Sequence, residues 1–269
     1  MKNLTLALWQ TGYAPTTAEA LQRLDATAAR ARAQGADLLI APEMGLTGYA
    51  IGAERVAALA EPRDGPLAQA AAATAQRHGI AIAYGYPEQN PAGQPFNAAQ
   101  FIAPDGARLA HYRKTHLFGD LDRAQFSAGD AASQAFTWRG WRLGLLICYD
   151  VEFPEAVRGL ALQGADAVLV PTANMVGFDE VQNILLPARA CENRLYVAYA
   201  NACGSEAGLS YGGLSTVVEP DGRHQSQAGR DDALLVVTLR RLALSAARLS
   251  SPLPQRRSDL YGPLCGDQK

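Results

Sequence analysis

The sequence predicts an α/β fold in which two mixed sheets pack face to face with helices outside, within one domain spanning residues 1–269. Strand-like and helix-like segments alternate along the chain, which is typical of α/β proteins. The segment QGADLLIAP at 34–42 is similar to the segment QGADAVLVP at 163–171. Each copy has a glycine at a helix end and a strand stopped by proline. The repeat predicts two similar halves, although any α/β protein can reuse such a local pattern.

In the first half, short apolar runs predict strands, and apolar residues at every third or fourth position predict helices. The first helix is the clearest, because Ala20, Leu21, Leu24, Ala28 and Ala31 share one face. The predicted elements are a strand at 4–9, a helix at 17–34, a strand at 37–41, a helix at 67–77, a strand at 80–86, and strands 97–103 and 108–113 around a Pro-Asp-Gly hairpin turn.

The second half follows the same order and also contains a Pro-Asp-Gly turn, at 220–222. Its predicted elements are a strand at 142–147, a helix at 155–163, a strand at 167–170, a helix at 181–194, a strand at 196–200, a strand at 215–219 that continues past the turn, and a last strand at 233–239. Residues 249–269 contain several prolines and charges and predict an extended tail, which either wraps the body or contacts a second subunit.

Composition narrows the functional classes. Hydrophobic residues make up 48% and charged residues 19% of the chain, as expected for a globular protein with a sizeable core. A net charge of -2 argues against a nucleic-acid partner. No apolar run is long enough for a membrane helix, and no export signal is evident, so we expect a cytoplasmic protein. The four cysteines are far apart and are expected to be reduced: Cys148, Cys191, Cys203 and Cys265.

Cys148 is the most informative residue. It ends the apolar run 143–147, and a polar turn leads from it to Pro154, which opens a helical pattern. A strand, elbow and helix in this order hold a side chain at the carboxyl edge of a sheet, beside N–H groups that can stabilise an oxyanion. Taken alone, a strand cysteine is more often a buried small hydrophobe. The functional interpretation therefore depends on other residues.

Two further groups follow strand ends. Glu43 comes after the strand at 37–41, and Lys114 comes after the first hairpin. Separately, Glu43 could cap a helix and Lys114 could be a surface lysine. Together with Cys148 they form a coherent set, since strand ends on one side of a sheet converge on one crevice. A carboxylate can take the thiol proton, and a lysine ammonium can stabilise an oxyanion.

The blocks around these residues resemble the nitrilase superfamily of carbon–nitrogen hydrolases. They are Pro-Glu-x-x-x-x-Gly-Tyr from 42, Arg-Lys-x-His-Leu-Phe from 113 and Ile-Cys-Tyr-Asp from 147, in the same order over most of the chain, from residue 4 to about 240. The resemblance implies a four-layer α-β-β-α sandwich, a homodimer or higher homo-oligomer, and a catalytic triad. Glu43 would be the general base, Lys114 the oxyanion-stabilising cation and Cys148 the nucleophile that forms a thioester. The backbone N–H of Tyr149 would complete the oxyanion hole with Lys114.

The acids after the lysine block depart from the family pattern. Many members carry a second glutamate there, whereas this chain has Asp120 and Asp122. Asp122 is a candidate additional catalytic residue with a shorter reach, or it only pairs with Arg123. The sequence leaves open which aspartate takes the position.

Glu152 bears on the substrate. Many relatives have arginine at this position, which suits a carboxylate-bearing substrate, so an acid favours a cationic group at the far end of a small amide. Glu152 could instead pair with Arg158 or Arg189.

The motifs at 112–119, 152–155 and 170–175 resemble those of bacterial 5-aminopentanamidases and R-stereoselective amidases, which act on small amides carrying an amine. The resemblance implies an amidase that releases ammonia from a short, amino-substituted carboxamide. Alternatives are a carbamoylputrescine-like N-carbamoyl-amine hydrolase, a nitrilase, or an inactive member that binds a metabolite. Candidate pocket residues are Asn174, Met175 and Tyr49, although Asn174 could be a turn residue and Met175 a core filler.

Other motifs predict no different chemistry. Gly208 to Gly212 matches G-x-S-x-G, but a strand-like run follows where a serine hydrolase needs a helix. The four histidines lack metal-ligand spacing, and no phosphate-binding loop occurs. We therefore expect no metal or other cofactor.

Overall fold

The computed structural model describes residues 2–262 and contains two six-stranded mixed sheets and one two-stranded ribbon. In the first sheet the strands are β1 (Leu4–Gln10), β2 (Leu38–Ile40), β3 (Ala81–Glu88), β4 (Phe96–Ile102), β5 (Arg108–Arg113) and β14 (Ala233–Leu239). In the second they are β6 (Phe136–Trp138), β7 (Trp141–Leu145), β8 (Ala167–Thr172), β9 (Tyr196–Asn201), β12 (Thr216–Val218) and β13 (His224–Gln227). The ribbon consists of β10 (Cys203–Glu206) and β11 (Leu209–Gly212).

The helices cover the outer faces of the sheets. They are α1 (Thr17–Ala33), α2 (Ala53–Leu59), α3 (Pro66–His78), α4 (Gly119–Gln125), α5 (Pro154–Leu162), α6 (Leu186–Asn193) and α7 (Arg241–Arg248). Strand alternation decides which face each residue meets. Leu6 and Leu8 of β1 lie in the core between the two sheets, whereas Ala7 and Trp9 pack with α1 and α3. The predicted α-β-β-α layering is confirmed.

The two sheets have the same internal plan. β1, β2 and β3 are parallel neighbours, and so are β7, β8 and β9. In each sheet an antiparallel hairpin flanks the third parallel strand, β4–β5 in one and β12–β13 in the other. An antiparallel edge strand flanks the first parallel strand of each sheet: β14 lies beside β1, and β6 lies beside β7. The repeated QGAD segments lead into β2 and β8, the central strands of the two parallel sets, as two similar halves require.

Several elements differ from the sequence prediction. The helix expected at 181–194 is a π-helical turn, Val181–Leu185, that continues directly into α6. The short helices α2 and α4 and the helix α7 were not predicted, nor were the strands β6, β10 and β11. These strands have only three or four residues each, too few to show a two-residue alternation.

The tail is described as far as residue 262. It contains two 3-10 turns, Leu253–Gln255 and Ser258–Leu260, and Leu253 and Tyr261 line a cleft together with Arg158 of α5. The rest of the tail, including Cys265, lies outside the described residues. The single domain and a tail at a subunit interface therefore stay predictions. Within residues 2–262, no helix is long and apolar enough to cross a membrane.

Candidate active site

Three of the predicted residues meet where strands of both sheets end. Glu43 lies three residues after β2, Lys114 directly after β5, and Cys148 three residues after β7. The backbone joins these ends across the two sheets, because the Glu43 N–H donates to the carbonyl of Thr172 at the end of β8 (3.2 Å). Glu43 and Lys114 are fully buried, and Cys148 is half-buried.

Lys114 holds two carboxylates together. Its Nζ lies 2.8 Å from Glu43 Oε1 and 2.7 Å from Asp122 Oδ2, with all three side chains buried. A buried ammonium is stable only when anions compensate it, and here two are in contact. The structure thus brings Asp122 into the cluster and gives the lysine a fixed position.

Asp122, rather than Asp120, occupies the position after the lysine block. Asp122 also accepts hydrogen bonds from the Tyr49 hydroxyl (2.7 Å) and the Phe118 N–H (2.8 Å). Asp120 is fully exposed and lies 3.7 Å from Arg123. Arg123 therefore pairs with Asp120, and Asp122 faces the site. Tyr49, predicted as a pocket residue, is 1% exposed; its ring centroid lies 5.8 Å from Lys114 Nζ, and its hydroxyl holds Asp122.

Burial and charge set the protonation states of the three central groups. Burial raises the pKa of Glu43, against the lowering effect of Lys114. For Lys114, burial alone would lower the pKa, but Glu43 and Asp122 outweigh it and hold the pKa well above its ordinary value. Burial and the Glu43 charge also raise the pKa of the Cys148 thiol. A protonated thiol beside a carboxylate is a pair suited to general-base activation.

The backbone presents Cys148 on a tight elbow. Cys148 has a φ of 47°, in the left-handed region that residues other than glycine rarely adopt. It begins a 3-10 turn, Cys148–Glu152, which leads into α5 at Pro154. Gly144 of β7 permits this sharp return, because a Cβ there would lie 2.5 Å from Leu160 of α5.

Asp150, to which the sequence analysis gave no role, links the cysteine elbow to the lysine loop. Its carboxylate accepts hydrogen bonds from the Ile147 N–H (3.2 Å) on one side and from the Thr115 and His116 N–H groups (3.3 and 3.0 Å) on the other. The Thr115 hydroxyl and His116 Nδ1 also contact it, at 3.0 and 2.8 Å. One fully buried acid thus joins the residues next to Lys114 to the residue before Cys148.

Glu43 is held by contacts that the sequence did not reveal. Asn97 Nδ2 donates to Glu43 Oε1 at 2.6 Å, and the Tyr13 hydroxyl donates to the Glu43 carbonyl at 2.8 Å. Gly85 of β3 lets the backbone after Glu43 approach closely, since a Cβ at Gly85 would lie 2.8 Å from the nitrogen of Met44. A buried Asn or Gly inside a strand-like run carries no recognisable motif, so only the fold identifies these residues.

Glu152 is the last residue of the turn that begins at Cys148, and the charges of Lys114 and Arg189 lower its pKa only against the larger effect of burial. Within the described part of the chain its carboxylate forms no ion pair, because Arg158 and Arg189 approach Glu192 instead, at 3.9 and 3.3 Å. The Arg189 guanidinium contacts only the backbone carbonyl of Glu152 (2.6 Å). Burial, together with the charge of Glu180, raises the pKa of Glu152. Glu180, which the sequence analysis did not single out, is the second acid near this position.

Asn174 and Met175 follow β8 at the same edge. The Asn174 side chain bonds within its own loop, to the Phe178 carbonyl (3.1 Å) and the Met175 N–H (3.0 Å), and to Gln182 of the π-helical turn (3.2 Å). Met175 packs against a small apolar cluster that contains Tyr49 and other side chains near Glu43. Just before them, a backbone hydrogen bond from Ala173 lowers the pKa of Cys148 against the larger effect of burial. The loop therefore adjoins the thiol.

The competing motifs do not form sites in the structure. Ser210 of the G-x-S-x-G match lies within β11 and approaches the Ser205 hydroxyl at 3.2 Å, with no helix after it. Among the residues that the structure describes, no three His, Cys, Asp or Glu side chains are grouped so as to hold a metal ion.

The chain is similar to known proteins over nearly its whole length. A family model for carbon-nitrogen hydrolases matches residues 5–248. The hydrolase in the pqqF 5′ region of Pseudomonas protegens is 51% identical over 266 residues, which are 98% of this chain and 93% of that protein. An (R)-stereoselective amidase of a Pseudomonas species is 39% identical over 213 residues, 79% of this chain and 76% of that protein.

Solved structures agree with the sequence matches. One structure of the amidase from Nesterenkonia sp. AN1 shows the result of Michael addition of acrylamide at its active-site cysteine. It matches with a TM-score of 0.85 and 36% identity, and covers 97% of this chain and 99% of that chain. The family match, the relatives and the fold lead to one conclusion. The chain belongs to the carbon-nitrogen hydrolase family, the nitrilase superfamily of enzymes that hydrolyse C–N bonds.

Proposed function

We propose that this enzyme is an amidase that converts a small aliphatic carboxamide carrying an amine, such as 5-aminopentanamide, into the carboxylate and ammonia. The observation that carries the amidase proposal is the buried network of Glu43, Lys114 and Asp122 beside the half-buried Cys148 thiol. The resemblance of the chain to amidases, one of them with a modified active-site cysteine, supports it.

In the first half-reaction, Glu43 takes the proton from Cys148 Sγ while the sulfur attacks the amide carbon. The new S–C bond moves an electron pair onto the carbonyl oxygen and gives a tetrahedral oxyanion. Glu43 then returns its proton to the amide nitrogen, the C–N bond breaks, and ammonia leaves. A carboxyl group whose pKa is raised by burial is suited to both proton transfers.

In the second half-reaction, water replaces ammonia. Glu43 takes a proton from the water as its oxygen attacks the thioester carbon, and a second tetrahedral oxyanion forms. This intermediate collapses with loss of the Cys148 thiolate, which takes back the proton held by Glu43, and the carboxylic acid product gives its own proton to water and leaves as the carboxylate. The same acid therefore serves in both steps, and no cofactor is consumed.

Lys114 and the backbone N–H of Tyr149 are the proposed oxyanion hole. Lys114 stays protonated because Glu43 and Asp122 hold its pKa high, so it can act as a fixed cation. Tyr149 is the second residue of the turn that begins at Cys148, and N–H groups in the first turn of a helix have no partner within it. Asp122 would keep the lysine oriented without itself exchanging a proton.

Glu152 is the proposed recognition group for the substrate amine. Its partly buried carboxylate forms no ion pair within residues 2–262, and the Glu180 charge raises its pKa further. A substrate ammonium would compensate both acids, whereas a substrate carboxylate would be repelled. Asn174 and Met175, on the adjoining loop, stay candidates for the acyl pocket.

Ammonia release from a panel of substrates tests the proposal. The panel contains 5-aminopentanamide, glutaramate, pentanenitrile and N-carbamoylputrescine, with carbon dioxide measured for the last. We expect the amino-amide to be the best substrate. Preference for glutaramate or the nitrile would overturn the amine-recognition proposal, and carbon dioxide release at a comparable rate would favour a carbamoyl-amine hydrolase.

The thiol mechanism has its own control. Cys148→Ala should abolish turnover, whereas Cys191→Ala, a partly buried cysteine on α6, should leave it unchanged. Full activity in Cys148→Ala would contradict the thioester mechanism. A homodimer or higher homo-oligomer in the cytoplasm, without nucleic-acid or membrane partners, remains part of the proposal on the basis of family resemblance and composition.

A further inference from the structure

Asn97 contacts two members of the catalytic cluster from one position in β4. The side-chain amide of Asn97 donates to Glu43 Oε1 at 2.6 Å, and the backbone carbonyl of Asn97 accepts from the backbone N–H of Lys114 at 2.8 Å. We propose that Asn97 is a positioning residue that engages Oε1 of Glu43 and so leaves Oε2 as the atom that takes the Cys148 proton. The inference rests on the proposed role of Glu43 as the general base.

The two oxygens of Glu43 are unequal. Oε1 accepts hydrogen bonds from both Lys114 Nζ (2.8 Å) and Asn97 Nδ2 (2.6 Å). Oε2 is buried and has no hydrogen-bond partner in the described structure. An unpaired carboxylate oxygen in a buried site retains its full basicity, because no donor competes for its lone pairs. The geometry therefore assigns the proton transfer to Oε2.

The Asn97 amide is retained at a cost to stability. It is fully buried, and its Oδ1 has no hydrogen-bond partner in the described residues. An unsatisfied buried amide oxygen costs about 1–3 kcal/mol. A leucine, which has the same branching and no polar atom, would avoid that cost on this strand. An amide whose donor serves Glu43 while its acceptor goes unused is typical of a functional rather than a stabilising residue.

Asn97 also affects the charge state of the base. Its N–H stabilises the ionised carboxylate and lowers the pKa of Glu43, against the larger raising effect of burial. Removing the donor should therefore raise that pKa. Other charged or titratable groups face Glu43 from several elements: Lys114, Asp122, Cys148, Tyr13, Tyr49, Tyr199 and Tyr211. These groups stay in place when only Asn97 is changed.

Asn97→Leu tests the inference, with Gln100→Leu as the matched control. Gln100 is also a fully buried amide on β4, but it bonds to the Tyr86 hydroxyl (2.9 Å) and the Arg63 carbonyl (2.6 Å), away from the site. For Asn97→Leu we expect kcat to fall about 10- to 100-fold with KM within about twofold. The acid limb of the kcat/KM profile should move to higher pH. Gln100→Leu should change thermal stability and leave the pH profile unchanged.

Asn97→Asp keeps the shape of the side chain and replaces the donor with an acid. It should lose more activity than Asn97→Leu, because a carboxylate beside Glu43 Oε1 repels the ionised base and raises the pKa of Glu43 further. Wild-type pH profiles in both variants would overturn the inference, since a merely structural role would change stability alone.

A second readout separates this inference from the substrate proposal. The rate at which iodoacetamide alkylates Cys148, measured against pH, needs no amide turnover and should show the same shift in Asn97→Leu. An unshifted alkylation profile in both Asn97 variants would overturn the role of Asn97 even if no amide were a substrate. A shifted alkylation profile with no amide hydrolysis would contradict only the proposed substrate.

Discussion

Asp150 Oδ1 lies 2.8 Å from His116 Nδ1 and makes the cysteine turn and the lysine loop one structural unit. The His116 ring stacks on Phe153, with the centroids 3.8 Å apart, so the loop is also packed against the turn that follows Cys148. The buried Asp150 carboxylate thus sets the separation between Cys148, the proposed nucleophile, and Lys114, the proposed oxyanion-stabilising cation.

Asp150→Asn should lower kcat about 10- to 100-fold with a smaller effect on KM, because an amide cannot accept all the hydrogen bonds that converge on the carboxylate. Steady-state kinetics and Cys148 alkylation check this. Asp130→Asn is the control, since Asp130 is exposed and outside the site. Equal kcat in both variants would show that the link is dispensable.

Asp122→Asn should lower kcat about 10²- to 10³-fold, because Lys114 loses one of its two anionic partners. The charge of Asp122 also raises the pKa of Glu43, so the acid limb of the kcat/KM profile should move to lower pH. Asp120→Asn, at an exposed position two residues away, should match the wild type. If Asp122→Asn and Asp120→Asn have the same kcat and the same pH profile, Asp122 has no role in the reaction.

Glu152→Gln should lower kcat/KM for 5-aminopentanamide about 10- to 100-fold, the effect of losing one ion pair with the substrate. Turnover of uncharged pentanamide should change less than about threefold, since Glu43, Lys114 and Cys148 are untouched. Glu155→Gln, on the exposed face of the next turn, is the control. Equal losses on both amides would indicate a structural role for Glu152.

Glu88 should contribute to stability in a pH-dependent way. Burial would raise its pKa, but hydrogen bonds from His111 and Arg113 lower it from 4.5 to about 2. A lowered folded-state pKa contributes stability that is fully present above pH 4.5 and is lost as the pH falls toward about 2.

Glu88→Gln should therefore reduce the free energy of unfolding by about 2–3 kcal/mol at pH 7, and the difference from the wild type should narrow steadily below pH 4.5. Urea unfolding at pH 7 and at pH 3 checks it. A difference independent of pH would show that Glu88 acts through packing alone.

The sequence singled out Glu43, Lys114 and Cys148, the proposed triad, because each follows a strand end and lies in a recognisable motif. It also predicted the layers, since the period of the apolar residues distinguishes helices from strands. The predicted strand at 233–239 coincides with β14, yet its partner β1 lies more than 220 residues earlier, and no local pattern encodes that pairing.

The supporting residues were missed for physical reasons. Asn97 and Gly85 lie in ordinary strand segments, and their importance comes from how closely the Glu43 loop approaches them. The helix α4, which carries Asp122, has seven residues and no capping side chain at its start. Its sequence therefore contains too few helix signals for the helix to be predicted. Asp150 was visible beside Cys148, but its partners 34 and 35 residues away were not.

The pairing of β1 with β14 has a consequence for synthesis on the ribosome. Seven residues of β1, from Leu4 to Gln10, pair with Leu239 back to Ala233. The backbone hydrogen-bonding groups on one edge of β1 therefore remain unpaired until residues 233–239 have emerged from the ribosome. An unpaired apolar edge favours association with other chains, so we expect the nascent protein to aggregate more readily before β14 has been made. The loop that carries Glu43 follows β2, the neighbour of β1, so the position of Glu43 depends on a strand whose other edge is completed only by β14.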